Sequence, residues 1–173
     1  MRDREGVTRI LLVGFMASGK TTIGRLVADR LGWGFVDFDA EIEQRTGTPV
    51  PEIIRRFGEP EFRAYEAELT REVAGLEHVV LAPGGGWITN PELLDYFGDE
   101  TLVVWLCISP EEAVRRARVD LSKRPLLAAP DPVARARMLL REREPLYRMA
   151  DVAVDVDGRD ADEIADEIVG MLE

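Results

Sequence analysis

The stretch Gly14-Phe15-Met16-Ala17-Ser18-Gly19-Lys20-Thr21 decides the fold. Gly14, Gly19, Lys20 and Thr21 satisfy the spacing Gly-x-x-x-x-Gly-Lys-Ser/Thr, and the flanks supply the context that this spacing requires. Before it, Ile10-Leu11-Leu12-Val13 is apolar and partly β-branched, as a buried parallel strand should be. After it, Ile23, Leu26, Val27 and Leu31 recur at helical spacing until Gly32. A strand, a glycine turn and a helix in succession aim a row of backbone N–H donors, and the positive end of a helix dipole, at one point. That arrangement favours phosphate. Gly14, Ala17, Ser18, Gly19, Lys20, Thr21 and Thr22 are the expected nucleotide-binding residues. Lys20 reaches towards the β and γ phosphates, and the Thr21 hydroxyl is an expected Mg²⁺ ligand.

Outward from this loop, strands alternate with helices. Thr8–Val13, Phe35–Asp37, His78–Ala82, Thr101–Ile108 and Val152–Val156 read as strands. Helices are expected from the loop to about Leu31, from Glu41 to Gly47, from Pro49 to Gly58, and from Glu59 to Gly75. Asn90-Pro91 marks a helix start with an end near Phe97, and Ser109-Pro110-Glu111-Glu112 reads as a capping box. Further helices are expected from Asp131 to about Glu144, where Pro145 interrupts the pattern, and over Asp160–Leu172. Residues 118–131 lack periodicity and read as a mobile loop. The fold class is therefore α/β, a parallel sheet with helices on both faces, and ligands belong at the carboxyl ends of the strands.

At 173 residues a single domain spanning 1–173 is expected. The formal net charge of −11 argues against nucleic acid and anionic membranes as partners. The charged start Met1–Glu5 lacks a signal core and no run of apolar residues is long enough to span a membrane, so a cytoplasmic location is expected. Without a heptad seam, the expected state is a monomer. Cys107 is the sole cysteine and reads as a buried, inert thiol; His78, the sole histidine, reads as structural. Asp95–Gly98 and Asp155–Gly158 fit Asp-x-x-Gly but neither follows the third strand, so both read as turns.

An anionic site inside an acidic protein needs convergent cations. Arg63, Lys123-Arg124, Arg141 and Arg143 are the candidates for that lining. Asp37-Phe38-Asp39 closes the second strand; read as extended chain, its two carboxylates share a face, one for a metal and one for a substrate hydroxyl. Three consecutive glycines, Gly84-Gly85-Gly86, at the end of the third strand indicate close approach of a ligand to the backbone.

The ordered series Gly14–Thr21, Asp37-x-Asp39, Gly58-Glu59-x-x-Phe62-Arg63, Gly84–Gly86, Arg124-Pro125-Leu126-Leu127 and Glu142-Arg143-x-Pro145-Leu146-Tyr147 resembles shikimate kinase, a small P-loop kinase family of the nucleoside-monophosphate-kinase type. The likeness runs from about Ile10 to Val156. It implies a five-stranded parallel sheet in the order 2-3-1-4-5, a substrate-binding helical segment at about 39–75 and a lid at about 118–131. It implies ATP, Mg²⁺ and phosphorylation of the shikimate 3-hydroxyl in aromatic amino-acid biosynthesis. Position by position, it puts Asp39 on the shikimate hydroxyls, Arg63 and Arg143 on the carboxylate, and the backbone of Gly84, Gly85 and Gly86 against the ring. Asp37 supports the metal through water, Arg124 swings over the phosphates, and Arg116 stacks on adenine. Lys20, Asp39 and Arg124 are thus the expected catalytic residues. The chain departs from the family pattern at Ala17, where glycine is frequent, at Phe38 and Trp87, where small residues are usual, and at Ile54, where phenylalanine is usual. Two rivals remain: a related kinase of another small hydroxylated acid such as gluconate, and a nucleotide-binding module without turnover.

Overall fold

Arg9–Gly14 forms β1, six residues that are all buried, at the centre of a five-stranded parallel sheet. The structure, a computed structural model, describes residues 6–119 and 127–173. Strand β1 pairs with β3 (Val79–Ala82) on one side and β4 (Thr101–Cys107) on the other, with Ile10 opposite Val80 and Leu102. Outside these lie β2 (Gly34–Asp37) and β5 (Val152–Asp155), so the order is β2-β3-β1-β4-β5, as the resemblance implies. Because every strand is parallel, all five carboxyl ends open on one edge, where the phosphate loop, the Asp37 turn and the triple glycine are collected.

The two faces of the sheet carry separate cores. Ile10, Leu12, Val104, Leu106 and Val154 face α1 (Lys20–Leu31), α5 (Pro110–Val119) and α7 (Ala161–Gly170). Leu11, Val13 and Leu81 face α2 (Phe38–Thr46), α3 (Val50–Phe57) and α4 (Glu59–Val73), together with Tyr147 of α6 (Pro132–Tyr147). These inner strand positions are uniformly apolar because both faces are covered.

Three local expectations are corrected. The Asp37–Asp39 stretch is not extended: α2 begins at Phe38, Asp37 is its N-cap and accepts from the Ala40 N–H at 3.1 Å, and Asp39 is in the first helical turn. Helix α6 does not stop at Pro145 but runs through it to Tyr147, ending with the Arg148 N–H on the Glu144 carbonyl. Proline lacks an N–H and kinks a helix interior, yet here only the final turn follows it. The stretch from Pro91 to Tyr96 is a 3₁₀ helix rather than an α-helix, and a second 3₁₀ turn, Trp87–Thr89, follows the glycines. The expected capping box is half formed. Ser109 Oγ accepts from the Glu112 N–H at 3.2 Å, but the Ser109 N–H is taken by Asp157 at 3.0 Å. Of the expected lid, Arg118 and Val119 finish α5, whereas Lys123 and Arg124 lie outside the described residues.

Candidate active site

The phosphate loop has the backbone that its sequence demands, with one cost. Gly19 adopts φ 93° at the N-cap of α1, and Ala17 also has a positive φ of 67°. A β-carbon is disfavoured there by about 1–2 kcal/mol, which explains physically why glycine suits position 17. The Lys20 ammonium bridges the loop, donating to the Gly14 carbonyl at 2.7 Å and the Phe15 carbonyl at 3.0 Å. Ser18 Oγ is buried under Gly14, with no hydrogen-bond partner among the described residues. Thr21 Oγ1 donates to Asp37 Oδ2 at 2.5 Å, so the end of the loop and the cap of α2 form one oxygen-rich corner.

Arg116 closes the other side of the loop. Its guanidinium donates to the Ala17 carbonyl at 3.1 Å and the Val156 carbonyl at 3.2 Å, and Glu112 holds it at 3.0 Å. Hydrogen bonds first from Arg115 and then from Arg116, outweighing a little burial, hold the Glu112 carboxyl down to about 2, so this anchor stays charged.

The triple glycine is where the site is assembled, and each member meets a different partner. A β-carbon on Gly84 would sit 3.1 Å from Asp39 Oδ1 and 3.4 Å from Glu66 Oε2. On Gly85 it would sit 2.9 Å from the backbone N of Met16 in the phosphate loop, and on Gly86 it would overlap the guanidinium of Arg63. The Gly85 carbonyl accepts from Tyr147 Oη at 2.9 Å and from Arg143 at 3.3 Å, and Arg143 lies over the Phe15 ring at 5.7 Å. Lys20, Arg63 and Arg143 are therefore gathered around the backbone of Phe15–Met16 and Gly84–Gly86, together with Asp39. Arg141 is not: it lines a separate groove with Trp105, Cys107 and Leu140, because two residues along a helix point to different faces.

Glu66 was not singled out by its sequence. It is fully buried on α4, pairs with Arg63, and has Oε2 without a hydrogen-bond partner among the described residues. Burial pushes its carboxyl up to about 7 against the pull of Arg63, and the Asp39 charge adds to the rise. Arg63 also meets Glu59 at 2.9 Å. The signal that could have found Glu66 is its place on the apolar face of α4, between Phe62 and Leu69, since a carboxylate on a buried stripe needs a reason.

Cys107 is half-buried rather than buried, and burial, followed by the charge of Asp155, raises its thiol to about 11, so it is inert as expected. His78 is exposed, with φ 54°, and packs edge-on against Trp33. No described helix is long and apolar enough to cross a membrane.

Residues 16–173 match the family model for shikimate kinase. The shikimate kinase of Moorella thermoacetica is 46% identical over 163 residues, covering 94% of this chain and 93% of that protein. A solved shikimate kinase from Acinetobacter baumannii, in complex with shikimate, shares the fold at a TM-score of 0.89 and 36% identity, covering 97% of this chain and 94% of that one. A gluconokinase from Sinorhizobium meliloti matches at a TM-score of 0.62 but only 20% identity, covering 96% of this chain and 92% of that chain, a likeness in fold alone.

Proposed function

The chain belongs to the shikimate kinase family and phosphorylates shikimate with ATP, and from that premise we propose how its own residues divide the work. The transferring group goes to the 3-hydroxyl, the position the family resemblance implies. The observation that carries the reading is the meeting of Arg63, Arg143 and Asp39 at the glycines, one residue step from the phosphate loop. Such a site places two anions face to face.

Phosphoryl transfer asks the protein for position and charge rather than covalent chemistry. The loop N–H groups and Lys20 take the nucleotide phosphates, and Arg116 takes the base side. Arg63 and Arg143 grip the substrate carboxylate from two directions, each offering paired donors that lysine lacks. Asp39 accepts from the substrate hydroxyl and is the residue placed to receive its proton. Glu66 holds Arg63 in register and, by its own charge state, sets how much of the Arg63 charge is left for substrate. The resemblance adds Arg124 over the phosphates and residues 118–131 as a lid.

The Thr21–Asp37 corner suits Mg²⁺. It offers a hydroxyl and a carboxylate, both hard oxygen donors, and this ion commonly takes one or two protein ligands and completes its shell with phosphate and water. Among the described residues there is no cluster of three or more His, Cys, Asp or Glu that could hold a metal on its own. When bound, Mg²⁺ supplies charge neutralisation at the phosphates.

A coupled assay offering ATP with shikimate, gluconate or AMP tests the assignment. Turnover with shikimate alone is expected; turnover only with gluconate, or ATP binding without turnover, contradicts it.

A further inference from the structure

Trp87 follows the triple glycine and is only 1% exposed. Its ring lies in the apolar cluster with Phe62, Leu69 and Val73 of α4 and tilts against Phe97 at 6.4 Å. A buried indole needs a partner for its N–H. Here Nε1 donates to Thr70 Oγ1 at 2.9 Å. That hydroxyl is fully buried and donates in turn to the Glu66 carbonyl at 2.7 Å. Glu66 is the residue whose carboxylate pairs with Arg63.

These contacts close a ring. From Gly86 the chain steps to Trp87, across Trp87–Thr70 to α4, along α4 to Glu66 and Arg63, and back to Gly86, whose missing side chain leaves the space that Arg63 fills. The apolar part of this contact is non-directional and tolerates sliding of the loop along the helix. A hydrogen bond does not, because its strength falls steeply with angle. The Thr70–Glu66 bond is internal to α4; the Trp87–Thr70 bond is the directional contact of the ring that joins the glycine loop to α4 within the core.

We propose that Trp87 and Thr70 form a positioning clamp that sets the glycine loop against α4, and thereby sets where Arg63 meets the substrate carboxylate. The inference rests on the reading of Arg63 as a carboxylate ligand. Neither clamp residue touches substrate; both act through Arg63 and the Gly84–Gly86 backbone.

Steady-state kinetics of wild type, Thr70→Val, Thr70→Ser and Trp87→Phe test it. Thr70→Val keeps the branched shape but removes the hydroxyl. Its KM for shikimate should rise about fivefold, the worth of one buried hydrogen bond, with KM for ATP and kcat nearly unchanged. Thr70→Ser, which retains the hydroxyl, should stay close to wild type. A role confined to stability would lower the melting temperature of Thr70→Val and leave its shikimate KM at the wild-type value, and that result overturns the clamp. Should Thr70→Val fail to fold, Trp87→Phe decides: a raised shikimate KM alone supports the clamp, and unaltered kinetics overturn it. If wild type itself does not turn over shikimate, the underlying functional reading fails, and the clamp with it.

Discussion

Two glycines and one glutamate carry the sharpest residue-level consequences. At Gly86 a β-carbon would collide with the flexible end of Arg63, which can swing away but then leaves the carboxylate position. Gly86→Ala should therefore raise KM for shikimate about tenfold or more and leave KM for ATP near wild type. At Gly85 the β-carbon would meet the Met16 backbone at 2.9 Å, which has no such freedom, so Gly85→Ala should impair both substrates. Glu66 adds a pH dependence. Its carboxyl is raised from 4.5 to about 7, so the folded chain binds this proton more tightly than the unfolded one. The stabilisation is full below about 4.5 and is lost as pH climbs through about 7. Function follows the same proton: facing Arg63 and Glu59 on its own helix and Asp39 on α2, Glu66 in its neutral form leaves more of the Arg63 charge for substrate. KM for shikimate should rise as pH increases through about 7, and Glu66→Gln should flatten that rise. A rise of equal size in the variant would contradict the assignment.

At the scale of elements, the site depends on helix ends. Helix α6 delivers Arg143 and, beyond Pro145, Tyr147, whose hydroxyl reaches the Gly85 carbonyl. Burial raises that phenol to about 12, so it remains a donor throughout the working range. Tyr147→Phe should cost about 1 kcal/mol and lower the melting temperature by about 2–4 °C, readable by thermal denaturation. Much of this architecture was legible beforehand. The strand–loop–helix at Gly14–Thr21 announced itself through spacing and hydrophobic pattern, and the caps and glycines marked most element boundaries. Where the structure departs from the pattern, the cause is local. The pattern breaks at Pro145, but a proline removes only the one hydrogen bond to the carbonyl four residues before it, and so near the helix end the last turn still closes, with the Arg148 N–H on the Glu144 carbonyl. The spacing of Asp37 and Asp39 fits a strand period, but the cap at Asp37 turns the chain into a helix. Glu66 left only the trace of a carboxylate on an apolar stripe, because its significance comes from its place beside Asp39 and Gly84, which are distant in sequence.

Across the whole molecule, a formal charge of −11 is reconciled with two anionic ligands by placement. Among the described residues, many arginines elsewhere are spent on exposed ion pairs within or between helices, such as Arg30 with Asp162 and Arg45 with Glu72, contacts that contribute little each. Lys20 and Arg143 are instead held over backbone at the carboxyl edge of the sheet, and Arg63, though paired with Glu59 and Glu66, lies against Gly86 at the same edge. The order of strands was implied only by resemblance, since no single-sequence pattern states which strands are neighbours; the pairing of β1 with both β3 and β4 is what brings the loop and the glycines together. The most direct test is the steady-state KM for shikimate and for ATP of Arg143→Lys against wild type. A guanidinium that grips a carboxylate beside the nucleotide loop predicts a shikimate KM raised about tenfold or more, because an ammonium keeps the charge and loses the paired donors, with KM for ATP little altered. An unchanged shikimate KM would contradict the account.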